Sequence, residues 1–302
     1  MTVNTRMPKL DTEYPARWSE SESGGAVRCT LCPRNCRIQP GCAGYCAVRE
    51  NRDGRLISLV YGKPAAIQND PIEKKPLFHF LPGTRTFSIG TFGCNLGCLF
   101  CQNSSLSRGS ARSAEELSFY PPDVLAEAAL MHGCKSIAFT YNEPTVWAEY
   151  AVDIAKEAKK RGLAVLLVSN GYISRAAAEE LYPLIDAANI DVKAFTEDFY
   201  RTMCAGSLKP VMDACVFFKK ELKRHLELTQ LIIPGKNDSE EDIDRFLDWT
   251  ADALGLDTPL HFTAYFPAWR YHESPPTPPA LIRRICERAV RRGFRFVHPG
   301  NI

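Results

Sequence analysis

The sequence predicts an α/β fold, a partial (β/α)6 barrel similar to a TIM barrel, with a small N-terminal cysteine-rich metal-binding lobe. From about residue 86, apolar runs typical of strands alternate six times with stretches typical of helices. The runs are rich in Val, Ile and Leu throughout, as expected for parallel strands covered on both faces. The cysteines are clustered, because eight of the twelve lie between Cys29 and Cys101.

The six strand–helix pairs define the predicted barrel, because such alternation indicates a parallel sheet. They are Thr86–Phe92 with Pro121–Met131, Ser136–Tyr141 with Thr145–Lys160, Leu163–Ser169 with Ser174–Leu181, Ala188–Val192 with Glu197–Met203, Leu226–Ile233 with Ser239–Leu254, and Leu260–Phe266 with Pro279–Arg291. We expect a flexible segment at 1–28, a cysteine-rich lobe and connector at 29–84, and the core barrel at 85–267. A C-terminal helix and tail at 268–302 are expected to close the barrel.

Composition narrows the class of protein. The 302 residues carry 37 basic and 35 acidic side chains, a net charge of +2, and no basic block stands out. This argues against a nucleic-acid partner. No segment has the ~18 consecutive apolar residues that a membrane span needs, and no secretion signal precedes the cysteines. We therefore expect a cytoplasmic protein whose clustered thiols bind metal or carry out redox chemistry.

A loop after the first predicted strand carries the strongest chemical signal. It contains Cys94, Cys98 and Cys101 at spacings of four and three residues. A 4Fe–4S cluster is held by cysteine thiolates, ordinarily four. Three thiolates leave one iron with an open position, and an open position at a metal is where a substrate binds. We predict that these three cysteines are catalytic and hold a 4Fe–4S cluster.

This loop, CNLGCLFC, resembles the cluster loop of radical S-adenosylmethionine (SAM) enzymes, C-x3-C-x-aromatic-C, with Phe100 at the aromatic position. More of the chain resembles the branch that includes the glycyl-radical-enzyme activating enzymes, and more closely the radical SAM member of the AmmeMemoRadiSam set. The stretches concerned are CTLCPRNC, DPIEKKPLFHFLPG, GCNLGCLFCQN, TYNEPT, SNGYI, IDVKAF, FYR, LIIPGKNDS and the terminal PGN. They extend from about residue 29 to the end of the sequence.

The resemblance implies a mechanism and partners. In the family, SAM chelates the open iron, and the reduced cluster cleaves it to methionine and a 5′-deoxyadenosyl radical that abstracts hydrogen from a substrate. The cofactor supplies the difficult chemistry, while the protein supplies orientation and shelter. An electron donor such as a flavodoxin or ferredoxin is implied. The substrate is either a small molecule or a partner protein, the latter through its glycine Cα.

Polar residues at two predicted strand ends are candidates for cofactor binding, since functional groups gather at the carboxyl ends of parallel strands. By the resemblance, Asn142 and Glu143 hold the methionine amino group of SAM, and Ser169 and Asn170 hold its carboxylate or ribose. Structural roles compete with these assignments. The first pair also suits the N-cap of the helix at Thr145, and the second suits an ordinary turn.

The next strand ends add three candidates. Asp191 and Lys193 resemble the D-x-K pair of activating enzymes, with Lys193 neutralising the SAM carboxylate and Asp191 pairing with the lysine. Because the two lie on one face of a strand, a purely structural ion pair is the alternative. His261, on the sixth predicted strand, is either a partner of the adenine or a hydrogen-bonded core histidine.

The N-terminal cysteines form a second candidate metal site. Cys29, Cys32, Cys36 and Cys46 match the four thiols that the resembling family carries here. A closed four-thiolate site suits zinc or an accessory iron–sulfur cluster, and sequence does not distinguish metals at such a site. Cys42 is a fifth thiol, either a replacement ligand or idle. A different reading of the whole chain is an electron-transfer or metal-binding protein without SAM chemistry, but it leaves the polar strand ends unexplained.

Overall fold

The computed structural model describes residues 13–109 and 114–302, which form one eight-stranded sheet, two small antiparallel sheets and the helices packed on them. The strands are β1 Tyr14–Pro15, β2 Ser19–Ser21, β3 Val27–Cys29, β4 Arg37–Ile38, β5 Arg49–Arg52, β6 Arg55–Ser58, β7 Ala66–Pro71, β8 Arg85–Gly90, β9 Ser136–Phe139, β10 Ala164–Ser169, β11 Ala187–Asp191, β12 His225–Ile232, β13 Leu260–Ala264 and β14 Val297–Gly300. The α-helices are α1 Ser104–Ser107, α2 Pro122–Met131, α3 Ala148–Lys160, α4 Arg175–Leu181, α5 Glu197–Met203, α6 Lys209–Val216, α7 Glu240–Trp249 and α8 Pro279–Arg291.

The large sheet confirms the predicted α/β fold. Its strands follow the order β14-β13-β12-β11-β10-β9-β8-β7. The pairs from β8 to β14 are parallel, and β7 pairs antiparallel with β8 at the edge. Strand β9 is buried along its whole length, as expected where helices cover a parallel sheet on the outside. Because β9 and its neighbours are parallel, their carboxyl ends lie at one edge of the sheet.

All six predicted strand–helix pairs are present, but the sheet extends beyond them. Sequence analysis missed β14 and helix α6. Strand β14 reads VHPG and contains no apolar run, and proline is tolerated in β7 and β14 because each lies at an edge of the sheet. Helix α6 begins at Lys209-Pro210, and its proline occupies the first turn, where no backbone donor is needed.

The cysteine-rich lobe consists of two three-stranded sheets, β1-β6-β5 and β2-β3-β4. The segment 1–28 was expected to be flexible; residues 1–12 lie outside the described part, but residues 14–28 supply β1, β2 and most of β3. Because these residues are polar, the sequence does not reveal their short strands. The strands are stabilised by pairing with other strands of the lobe and by contacts with the barrel. The Arg17 backbone N–H donates to Glu149 Oε1 at 2.8 Å, and buried Arg49 contacts both oxygens of the same carboxylate at 2.9 Å. This ion pair fixes the lobe to α3.

The connector closes the amino-terminal end of the barrel. Ile72 and Leu77 pack with Ala138, Leu166 and Ala187, which lie on three neighbouring strands. The backbone N–H groups of residues 78 and 79 donate to Glu227 at 3.1 and 2.8 Å. Because one end is filled in this way, access to the interior is from the carboxyl ends of the strands.

Candidate functional site

A cavity of about 410 Å³ opens at the carboxyl ends of the parallel strands. Its walls bring together residues that are far apart in sequence, from Lys74 in the connector to Asn301 after β14. Ten of the eleven barrel residues predicted from the sequence line it: Cys94, Cys98, Phe100, Cys101, Asn142, Glu143, Ser169, Asn170, Asp191 and Lys193. The exception is His261.

Tight backbone contacts hold the cysteine loop that follows β8. The Gly97 N–H donates to Cys204 O at 2.7 Å, and the Leu99 N–H donates to Met203 O at 2.9 Å, so the end of α5 supports the loop. Gly93 has a φ of +89°, and a Cβ there would lie 2.7 Å from the carbonyl oxygen of Cys46. Glycine is therefore needed both for the left-handed turn and for the close approach of the N-terminal lobe.

The thiols of the loop receive polar contacts. Cys94 Sγ accepts from the Leu96 N–H at 3.4 Å and lies 3.7 Å from Asn170 Nδ2, while Cys101 Sγ lies 3.2 Å from Ser107 Oγ. All three cysteines are free. Donors aimed at sulfur stabilise thiolate, the form that ligates metal. This donor set fits an iron–sulfur cluster.

Asn142 positions the start of the cysteine loop, because the polar atoms of its side chain are hydrogen-bonded to the chain. Its Oδ1 accepts from the Thr91 N–H at 3.0 Å. Its Nδ2 donates to the carbonyls of Phe92 and Gly93 at 3.0 and 2.9 Å. The amide therefore makes hydrogen bonds to the chain between β8 and Cys94, which gives Asn142 a positioning role. Its contact with the amino group of SAM stays a prediction.

Glu143 ties two strand ends together. Its Oε1 accepts from the N–H and hydroxyl of Thr145 at 2.9 and 2.7 Å and from Ser169 Oγ at 2.8 Å. Its Oε2 accepts from the Asn170 N–H at 2.8 Å. The first contact is the N-cap that was the structural alternative. Burial raises the pKa of Glu143 above its usual range, against the opposing effect of these donors. The carboxylate nevertheless lines the cavity.

The turn after β10 reaches the cysteine loop directly. Asn170 Nδ2 donates to Asn95 Oδ1 at 3.0 Å, and Asn170 Oδ1 accepts from the Tyr172 N–H at 2.8 Å. Ser169 Oγ accepts from the Gly171 N–H at 3.0 Å. These bonds make an ordered turn of the kind expected from the sequence, and the same turn places Asn170 beside Cys94.

Asp191 and Lys193 form an ion pair in the cavity wall, with Nζ 2.6 Å from Oδ2. Burial alone would lower the pKa of Lys193, but the Asp191 carboxylate and nearby thiols raise it above its usual value. The lysine is therefore cationic. Its side chain remains 17% exposed and that of Asp191 32% exposed, so both reach the cavity.

His261 lies below the cavity, on β13, and does not line it. Its Nε2 is 2.7 Å from Glu227 Oε2, and the ring is stacked with that of His298 at 5.0 Å. These contacts fit the core alternative, and the contact with an adenine stays a prediction. The side chain faces the barrel interior, below the residues that line the cavity.

The sequence analysis did not identify Lys75, a charged residue that also lines the cavity. Lys75 Nζ lies 2.7 Å from Asp70 Oδ2, and the Tyr141 hydroxyl donates to the same oxygen at 2.6 Å. Burial would raise the pKa of Asp70, but these two partners hold it well below the usual range. Tyr141 has a φ of +71°, and such strain in a non-glycine residue is typical of functional sites. The DPIEKKP motif was the available signal.

The four N-terminal thiols line a separate cavity of about 20 Å³. Cys29, Cys32, Cys36 and Cys46 share it with Arg49, whereas Cys42 is exposed and lies outside it. Asn95, which follows the first cysteine of the barrel loop, also lines this cavity. Neighbouring residues of the barrel loop, Cys94 and Asn95, thus line the two cavities.

Two general findings apply to residues 13–109 and 114–302. No group of three or more His, Cys, Asp or Glu side chains in these ranges has an arrangement suited to a single metal ion. Neither cysteine set is an exception. In the same ranges, no helix has the length and apolar character needed to cross a membrane.

Comparisons with known proteins agree with the geometry. The radical SAM superfamily model matches residues 88–250, more than half of the chain. An uncharacterised protein of Methanocaldococcus jannaschii is 37% identical over 289 residues, covering 95% of this chain and 85% of that protein. The pyruvate formate-lyase 1-activating enzyme of Escherichia coli is 22% identical over 178 residues, covering 57% and 70%.

A solved structure supports the fold. The radical SAM methyltransferase from Sphaerobacter thermophilus superposes with a TM-score of 0.53 at 15% identity, covering 74% of this chain and 68% of that chain. With the cysteine loop, the polar strand ends and the match over residues 88–250, these findings show that the chain belongs to the radical SAM superfamily and is an enzyme.

Proposed function

We propose that Cys94, Cys98 and Cys101 hold the 4Fe–4S cluster that the family implies, and that the cavity beside them binds SAM. One observation carries this proposal: the three cysteines share a cavity of about 410 Å³ with the polar ends of the parallel strands. The bound cofactors supply reductive cleavage of SAM to a 5′-deoxyadenosyl radical, which abstracts hydrogen from a substrate.

The residues of the chain orient and shelter the cofactor. Lys193 offers a cation to the SAM carboxylate, and Asp191 keeps that cation in place at 2.6 Å. Glu143, Ser169 and Asn170 present acceptors and donors on the neighbouring strand ends. Phe100 packs against Phe199 at 5.8 Å and covers the apolar side of the loop, which excludes water from the thiols.

The assay that tests this function uses anaerobically reconstituted protein with dithionite and SAM. The expected products are 5′-deoxyadenosine and methionine in equal amounts. Cys98→Ala is expected to abolish their formation and to lower the iron content by about one cluster. Cys286→Ala, a free cysteine on α8 outside the cavity, is the matched control and is expected to behave like the unaltered protein. SAM that stays intact in the unaltered protein would favour the electron-transfer alternative.

The substrate has two candidate classes. The similarity to the pyruvate formate-lyase activating enzyme of E. coli favours the glycine Cα of a partner protein. A small molecule is the other class, since a cavity of about 410 Å³ is in the range of small-ligand sites. Deuterium transfer into 5′-deoxyadenosine from a candidate labelled at one carbon would identify the hydrogen donor.

We further propose that Cys29, Cys32, Cys36 and Cys46 hold a second metal centre. Zinc and an iron–sulfur cluster both suit four thiolates, but zinc draws them to about 2.3 Å from its centre. The four thiols surround a cavity of about 20 Å³, and metal analysis decides which of the two they hold.

Metal analysis of a Cys94/Cys98/Cys101→Ala triple variant separates the choices for the N-terminal centre. About one zinc atom is expected to remain if the centre is zinc, and about four iron atoms if it is an iron–sulfur cluster. Retention of no metal would contradict a second centre. We also infer a cytoplasmic location, where reducing conditions keep all twelve cysteines free, and a flavodoxin or ferredoxin as reductant.

A further inference from the structure

The outer side of the cysteine loop carries a row of alternating cations and aromatic rings. Arg34 stacks on Tyr45 with its guanidinium carbon 3.4 Å from the ring centroid. Arg108 lies 6.0 Å from the Tyr45 ring and 5.8 Å from the Trp269 ring. Arg270 stacks on the other side of Trp269 at 4.6 Å. We call these five residues the arginine–aromatic row.

The row lies directly on the backbone of the cysteine loop. The Arg34 guanidinium donates to Asn95 O and Ala205 O, and Arg108 donates to Leu96 O. The Arg270 N–H donates to Leu99 O at 3.0 Å. A Cβ at Gly97 would lie 2.2 Å from Tyr45 Oη, so the tyrosine touches the loop between the first two cysteines.

The row faces away from the cavity and remains cationic. None of its five residues, all within the described ranges, lines the cavity of about 410 Å³, while Arg34 lines the smaller cavity of the N-terminal thiols. Arg34 and Arg108 use their guanidinium groups on carbonyl oxygens, and Arg270 uses its own on a ring. Among described residues, no carboxylate is within ion-pair distance of the three. Tyr45 is 43% exposed, and Arg270 is also exposed.

We propose that the arginine–aromatic row is the docking surface for an acidic one-electron carrier protein that reduces the cluster. The inference rests on the proposed function, since it needs a cluster at Cys94, Cys98 and Cys101. Uncompensated arginines attract an acidic partner and speed its encounter, while an exposed tyrosine beside a half-buried tryptophan suits a transient interface. One electron passes from the reduced carrier to the oxidised cluster; no bond forms or breaks, and the carrier leaves oxidised by one electron.

The position of the row explains how reduction and catalysis can use different sides of one loop. SAM and substrate occupy the cavity on the inner side, so a carrier approaching from that side would compete with them. A carrier on the outer side contacts the backbone of residues 95–99 and leaves the cavity free for SAM and substrate. Radical chemistry needs this separation, because the radical must be sheltered while electrons are delivered.

The test measures reduction of the cluster by stopped flow, with reduced flavodoxin and, separately, reduced ferredoxin as acidic carriers. Arg270→Glu is expected to slow reduction by about tenfold or more at low ionic strength, and the difference is expected to shrink in high salt. Arg270→Lys is expected to restore most of the rate. Arg283→Glu, an equal charge change at an exposed position of α8, is the matched control and is expected to leave the rate unchanged.

A second arm separates docking from damage to the site. With dithionite, which needs no protein interface, Arg270→Glu is expected to form 5′-deoxyadenosine at the rate of the unaltered protein. An equal loss in both arms would overturn the proposal by showing a structural defect. An unchanged rate with both carriers would also overturn it. If the unaltered protein forms no 5′-deoxyadenosine with dithionite, the proposed function fails before the docking surface is tested.

Discussion

The barrel and the N-terminal lobe each gather free cysteines, yet they place them in opposite settings. In the barrel, Cys94, Cys98 and Cys101 stand at the edge of a cavity of about 410 Å³ among charged strand ends. In the lobe, four thiols enclose a cavity of about 20 Å³ with apolar neighbours and Arg49. Three thiols beside an open space suit a cluster that must meet a substrate, and four around a closed space suit a metal centre with no open position.

The settings arise from different local structure. The barrel cysteines follow a central parallel strand, so the open end of the sheet determines their access. The lobe cysteines lie on short strands and turns that gain stability by docking, chiefly through the Arg49–Glu149 pair at 2.9 Å. Both residues are about 1% exposed, and removing one partner of such a pair typically costs about 3–5 kcal/mol. The lobe is thus a fixed part of the wall behind the barrel loop.

Cys32→Ala gives the strongest contrast with Cys98→Ala. It is expected to release the N-terminal metal and lower Tm by about 5–10 °C, because a bound metal stabilises the fold that holds it. SAM cleavage with dithionite is expected to continue, since the barrel cysteines remain. Calorimetry, metal analysis and product assay measure the three effects.

Cys42→Ala is the matched control for that variant, because Cys42 is exposed and outside the thiol cavity. It is expected to retain metal, Tm and activity. If Cys32→Ala kept its full metal content, or Cys42→Ala lost it, the ligand set assigned to the lobe would be wrong.

Lys193→Met tests whether the open cavity binds the SAM carboxylate. Losing a charged contact to the SAM carboxylate is expected to raise the KM for SAM by about 10–100-fold with a smaller change in kcat, since hydrogen bonds to charged groups contribute roughly 1.5–3 kcal/mol. Lys219→Met provides the comparison, because Lys219 is similarly covered, at 15% exposed against 17%, and also pairs with an aspartate. An unchanged KM in Lys193→Met would leave the Asp191 pair with a structural role only.

The fold was largely predictable because the parallel strands are buried on both faces and carry their own apolar signal. The edge strand β14 was missed because edge positions tolerate polar residues and proline, which weaken that signal. Residues 14–28 were misjudged for a related reason. Their order comes from contacts such as Arg17 with Glu149, which link positions 132 residues apart.

The sequence predicted which residues line the site better than it predicted what each residue does there. Strand-end motifs brought ten residues to the cavity, because topology fixes which ends converge. The role of each residue depends on side-chain contacts that the sequence does not show. Asn142 is hydrogen-bonded to the cysteine loop, and His261 is hydrogen-bonded to Glu227. Lys75 was missed because its significance depends on Asp70 and Tyr141, and only the folded chain places Tyr141 beside Asp70.

The vacant iron position is tested most directly by electron–nuclear double resonance on the reduced protein with SAM labelled by ¹⁵N in the amino group and ¹⁷O in the carboxylate. We expect hyperfine coupling from both labels to the cluster signal, and we expect that signal to be lost with the barrel cluster in the Cys94/Cys98/Cys101→Ala variant. A cluster signal in the unaltered protein that shows no coupling to either label, with SAM bound, would contradict the account.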